Sequence, residues 1–163
     1  MRIHARIGLA LALSALTATG AVAQTKYGSE AGWTILVKDN MGPGCVMTKS
    51  NADGTQIQMG IDATGQKRGY LALYTKANTK VVAGEKLSVL FDVDGQQFSG
   101  EAKGQDDGEF HGAFVWVNNP DFIYDLAKKK TLTISPKGGS LIKVNLAGTD
   151  AAFKALRTCQ DAQ

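Results

Sequence analysis

Lys86-Leu87-Ser88-Val89-Leu90-Phe91-Asp92-Val93-Asp94-Gly95-Gln96-Gln97-Phe98-Ser99-Gly100-Glu101-Ala102 is the stretch that decides the fold. Leu87, Val89, Phe91 and Val93 recur at every second position, the period of a strand with one buried face. Asp94-Gly95 follows at once, and this pair supplies the two positive-φ positions that a type I′ turn requires. The chain then returns through Gln96–Ala102, so the segment predicts an antiparallel hairpin.

The same reading extends in both directions. Upstream, Trp33–Lys38, Cys45–Ser50, Thr55–Asp62 and Tyr70–Thr75 read as strands. In the third of these Ile57, Met59 and Ile61 alternate with Gln56, Gln58 and Gly60, and Asn51-Ala52-Asp53-Gly54 turns the chain into it. Asp39–Gly44 and Ala63–Gly69 carry turn chemistry, and the polar run Gln24–Gly32 reads as loosely held. Downstream, Phe110–Val117 is strand-like, with Phe110, Phe114 and Trp116 on one side and His111 on the other. Thr131–Ser135 and Leu141–Asn145 form a further hairpin around Pro136-Lys137-Gly138-Gly139.

Two short helices interrupt this pattern. Asn119 caps a helix beginning at Pro120, with Asp121 and Asp125 early and Lys128-Lys129-Lys130 at its end, the charge order that the helix dipole favours. Thr149 or Asp150 starts the last helix, which turns Ala152, Phe153, Leu156 and Cys159 to one side. About nine short strands and two short helices predict a mainly β protein, a single antiparallel β-sandwich or flattened barrel. No repeat or linker divides it, and residues 24–163 read as one domain.

Met1–Ala23 reads as a secretory signal peptide, with Arg2 and Arg6 ahead of the apolar run Ile7–Leu16 and Ala21-Val22-Ala23 as the cleavage site. Cleavage removes both arginines and no acidic residue, so the formal charge of +3 falls by two. A nearly neutral domain has no field to gather nucleic acid or an anionic bilayer, and no second apolar run has membrane length. The expected location is the periplasm, with the cell surface or medium as alternatives. In an oxidising compartment Cys45 and Cys159 are expected to pair, closing a loop of about 114 residues worth on the order of 4–5 kcal/mol.

Several groupings of residues bear on chemistry. Asp92-Val93-Asp94-Gly95 resembles the start of a calcium loop, but the strand period through Phe91 and Val93 favours the hairpin turn. Gln105-Asp106-Asp107-Gly108-Glu109 gathers three carboxylates, which could hold a divalent cation or meet a basic partner. A solvated acidic loop is the commoner outcome. His111 is the sole general-base candidate once His4 is cleaved away, and it would need a carboxylate alongside. Lys128-Lys129-Lys130 reads as a solvated helix end. Tyr70, Tyr74, Trp116 and Tyr124 could build an aromatic ligand face, because amphipathic rings are common at binding sites.

Trp33-Thr34-Ile35-Leu36-Val37, Cys45-Val46-Met47 and the closing run Val144-Asn145-Leu146-Ala147-Gly148-Thr149-Asp150-Ala151-Ala152-Phe153-Lys154-Ala155-Leu156 carry a resemblance. The arrangement resembles the invasion-associated locus B family of small exported proteins of Gram-negative bacteria. The resemblance implies a β-sandwich ending in a strand, a Gly-containing turn and a short helix. It also implies an envelope or surface protein without catalytic residues, linked in some members to host-cell contact and virulence. This chain offers a single cysteine pair.

The reading that results is a non-enzymatic exported binding or interaction protein that needs no cofactor. Its partner, a protein or a small ligand, would meet Tyr70, Tyr74, Trp116 and Tyr124, with Asp106, Asp107 and Glu109 as a charged rim. The alternatives are a small hydrolase using His111 with a carboxylate, and a divalent-metal module using residues 105–109.

Overall fold

The computed structural model describes residues 25–38, 44–61, 68–77, 79–106, 109–119 and 121–163. The proposed signal segment, the turn at 39–43, most of the turn at 63–69, Asp107 and Pro120 lie outside the described residues.

Ten strands form one antiparallel sheet. They are β1 (Thr25–Glu30), β2 (Trp33–Val37), β3 (Cys45–Ser50), β4 (Gln56–Ile61), β5 (Gly69–Thr75), β6 (Lys86–Val93), β7 (Gln96–Asp106), β8 (His111–Val117), β9 (Thr131–Pro136) and β10 (Ile142–Asn145). Their order across the sheet is β1-β2-β3-β4-β5-β8-β7-β6-β9-β10, which leaves β1 and β10 as open edges. Helix α1 (Asp121–Asp125) runs into a 3-10 turn at Leu126–Lys128, and α2 (Thr149–Asp161) ends the fold. The mainly β, antiparallel, two-helix architecture expected from the sequence is the one observed.

The deciding hairpin forms as read. Leu87 to Val93 pairs with Gln96 to Ala102 in register, and the turn between has φ +50 at Asp94 and +90 at Gly95. Asp94 adds a tie that the sequence does not announce. Its carboxylate accepts the backbone N–H groups of Lys130 and Thr131, both at 3.0 Å, and so anchors the start of β9.

Two strand boundaries differ from expectation. The run read as loosely held contains β1, whose mostly exposed polar residues pair with β2 through the backbone after a turn at Ala31 and Gly32. The return strand of the hairpin also continues past Ala102 to Asp106. This long strand β7 serves two neighbours: Gln96–Lys103 pairs with β6, and Lys103–Asp106 pairs with β8. Through it the sheet folds back on itself, so the inner residues of β6, β9 and β10 lie over those of β5 and β8 in one core cluster. Gly104 permits the close approach there, since a Cβ would fall 2.2 Å from the Val82 carbonyl oxygen.

The other half of the inner face is covered by helices. Ile35, Met47 and Met59 stand abreast across β2, β3 and β4, all at 0 % exposure, in one core cluster with Phe153 and Leu156 of α2. Full burial of side chains this size contributes roughly 1.5–3 kcal/mol each. Cys45 of β3 and Cys159 of α2 form a disulfide with their Cα atoms 6.1 Å apart, as expected from the cysteine count. Gly148, at φ +81, starts the helix where a Cβ would meet the Ala31 carbonyl oxygen at 2.7 Å. Thr149 then ties its hydroxyl to the Leu146 carbonyl at 2.6 Å.

Candidate functional site

The alternation of β5 and β8 puts Leu71, Leu73, Ala113 and Val115 on the inner face and Tyr70, Ala72, Tyr74, Phe114 and Trp116 on the outer one. The outer residues form a second apolar cluster with Val46, Leu36 and Phe110. Tyr70 lies directly across from Trp116, with ring centroids 5.2 Å apart, and Phe114 stands 6.0 Å from Tyr70 and 6.2 Å from Trp116. These distances are in the range where tilted and edge-to-face rings attract.

Within this cluster the rings have different roles. Tyr70 and Tyr74 are each 6 % exposed, and their hydroxyls are 2.9 Å apart. The Tyr74 hydroxyl donates to Gln105 Oε1, also at 2.9 Å, so a line of hydrogen bonds satisfies the buried phenols. Burial and the neighbouring Tyr74 push the Tyr70 phenol far above its ordinary range, so it stays protonated. Phe114, Trp116, Phe110 and Leu36 are half-buried and form the accessible crest.

Cations surround that crest. The Arg68 guanidinium lies 3.9 Å from the centre of the Trp116 ring, the Lys76 ammonium 4.8 Å from Phe110, and the Lys38 ammonium 5.8 Å from Tyr70. Each is within the reach at which a ring face attracts a cation. Lys38 also donates to Gln58 Oε1 at 3.0 Å, and burial lowers its pKa from the ordinary lysine value.

Of the residues singled out from sequence, Tyr70, Tyr74 and Trp116 share this face and Tyr124 does not. Tyr124 sits on α1 with its ring 5.8 Å from that of Phe153 and the Arg157 guanidinium 3.7 Å above it, a contact between the two helices. The acidic residues also separate. Asp106 is the last residue of β7, not part of a loop, and its Oδ1 lies 3.1 Å from His111 Nδ1. Glu109 pairs with Lys76 beneath Phe110. Asp107 lies outside the described residues. Among the described residues no group of three or more His, Cys, Asp or Glu side chains is placed to hold a metal ion.

The sequence reading missed Arg68, Lys38 and Lys76. Their signal was available only through pairing: Arg68 immediately precedes β5, Lys38 follows β2 and Lys76 follows β5, so each emerges at a strand end beside the rings.

The inner face holds a second feature. Between β5 and β8 on one side and β6, β9 and β10 on the other lies a cavity of about 300 Å³, lined mainly by aliphatic side chains.

No helix among the described residues is long and apolar enough to cross a membrane. No protein-family model matches the chain, and no curated protein matches it in sequence. The fold is similar to the crystal structure of invasion associated protein B from Bartonella henselae, with a TM-score of 0.56 and 15% sequence identity over 82% of this chain and 96% of that one. At that identity the likeness concerns the architecture alone.

Proposed function

We propose that this protein is a non-enzymatic exported binding protein that docks an acidic protein partner on the outer face of β5 and β8. The observation that carries the reading is the half-exposed crest of Trp116, Phe114 and Phe110 with Arg68 and Lys76 stacked beside it. Rigid aromatic side chains contribute large contact area at small entropic cost, and arginine joins them in the residues that dominate interfaces. Lys76 is already met by Glu109, so the Arg68 guanidinium over Trp116 is what favours an acidic partner, since complementary charge speeds encounter and fixes orientation. Export is supported by the signal-like segment at residues 1–23 and by the disulfide.

A photo-crosslinking residue at position 116, compared with one at the exposed Leu141, tests this in the envelope of the source organism. The expected result is one partner captured from position 116 alone, and lost on Arg68→Glu while the disulfide and the melting temperature are kept. Equal capture from both positions, or capture indifferent to Arg68→Glu, rejects the docking face. A mass that still includes residues 1–23 rejects export.

The pair of His111 and Asp106 supports a second reading, an acid–base catalyst, since a carboxylate on Nδ1 fixes the imidazole tautomer. An activity found in the purified protein and lost in His111→Ala would favour it over docking.

A further inference from the structure

We infer that the cavity between the two layers is a binding site for a single alkyl chain ending in an uncharged oxygen. This site is on the opposite face of β5 and β8 from the proposed docking crest and stands on separate observations.

Size comes first. Protein interiors are packed with few voids larger than a water molecule, whereas small-molecule sites begin at about 300 Å³. At about 300 Å³ this space is a pocket, with room for one chain. Its chemistry comes next. Leu71, Val115, Leu87, Val89, Phe91 and Ile134 supply most of its walls, so a chain there would exchange water for apolar contact.

The polar lining is confined to one end. Thr75 pairs with His111 across β5 and β8, and Thr55 immediately precedes Gln56, which pairs with Tyr74, the neighbour of Thr75. These three are half-buried and Thr79 is exposed, so this end opens to solvent. Thr75 Oγ1 accepts the Ala77 N–H at 3.1 Å and Thr79 Oγ1 accepts the Val81 N–H at 3.3 Å. Each hydroxyl uses one lone pair in this way and keeps its proton to donate, which suits an oxygen on the ligand. Among the described lining residues there is no lysine or arginine to pair with a carboxylate, so a neutral end group fits better.

At the rim, Val82 and Leu141 are 61% and 58% exposed, and each adjoins a lining residue, Val81 and Ile142. Exposed aliphatic side chains at the border of an apolar pocket are the surface over which a chain would enter.

Decanol and decanoate, titrated into the full-length disulfide-bonded protein by calorimetry and by methyl NMR, test the site. Decanol is expected to bind saturably at one per chain and to shift the methyl signals of Leu71, Val89 and Val115, leaving those of Leu36 and Val46 unmoved. Decanoate is expected to bind several-fold more weakly. Ala113→Phe, which puts a ring into the cavity, should cut decanol affinity by an order of magnitude, with Ala102→Leu as a milder filling variant. Trp116→Ala should leave it unchanged, so failure of the pocket and failure of the docking face are separately visible. Absence of saturable binding, shifts on Leu36 and Val46 instead, or undiminished binding in folded filling variants would overturn the site. Tighter binding of decanoate would overturn the neutral end group.

Discussion

The inner face of the sheet is covered in two ways, and the two halves differ in how tightly they close. Over β2, β3 and β4 lies α2, held by the Cys45–Cys159 disulfide, and Trp33, Ile35, Met47, Met59, Leu156 and Cys159 are all at 0 % exposure. Over β5 and β8 lie β6, β9 and β10, and there a cavity of about 300 Å³ stays between the layers. A helix rolls and slides until its stripe fills the surface beneath it, and Met adapts to what remains. A second sheet layer is fixed by its ladder of hydrogen bonds, and β-branched side chains have few rotamers with which to fill a gap. Tight closure and a ligand-sized space thus fall to different halves of one core.

The strongest way to break this contrast is to release the helix. Cys159→Ser or reduction is expected to cost on the order of 4–5 kcal/mol, read as a fall in the denaturant midpoint. Two free thiols in the untreated native protein would contradict the helix-side account altogether.

A smaller loss is expected from Leu156→Ala, which should destabilise by about 3–4 kcal/mol because its site is fully closed. Its counterpart Leu87→Ala, on a half-exposed side chain beside the cavity, should cost only about 1 kcal/mol. Equal costs in urea titrations would erase the distinction between the halves. Gly104→Ala falls between them at about 1–3 kcal/mol, because its new methyl group would strike the Val82 carbonyl where the layers join.

The smallest effect expected is in pH dependence. Hydrogen bonds from the Lys130 and Thr131 N–H groups hold the Asp94 carboxyl below its ordinary 3.8, with nearby lysines adding to the shift. A depressed carboxyl stabilises the folded state above its unfolded pKa, and that contribution fades as pH falls through the folded value. Melting temperature should therefore decline less steeply below about pH 4 in Asp94→Asn than in the parent protein. An unchanged slope would mean that this anchor does not hold the cavity-side layer.

The parts legible in the sequence were those written as periodicity or turn chemistry. Leu87 to Val93, Asp94-Gly95 and the helix face ending at Cys159 each state their structure locally, and each appears as read. Strand β1 was not legible, because an exposed edge strand pairs through its backbone and needs no apolar alternation. The continuation of β7 was hidden for the opposite reason: Gly104 looks like a breaker until the Val82 backbone is seen beside it. At the candidate site, the sharing of a face by Tyr70, Tyr74 and Trp116 follows from register across β5 and β8. The cations over the rings depend on where three separate strand ends emerge, which no local pattern encodes. Tyr124 shares only its residue type with those rings, and its helix carries it to Phe153 instead.

In strand β7, Lys103 is paired on both sides, with Lys86 of β6 and Phe114 of β8, so one stretch of backbone is an internal rung for both layers. Neither layer can shed its partner without turning a central strand into a frayed edge. The two halves should consequently melt in a single cooperative transition, and native-state amide exchange at β3 and at β6 should converge on one opening free energy.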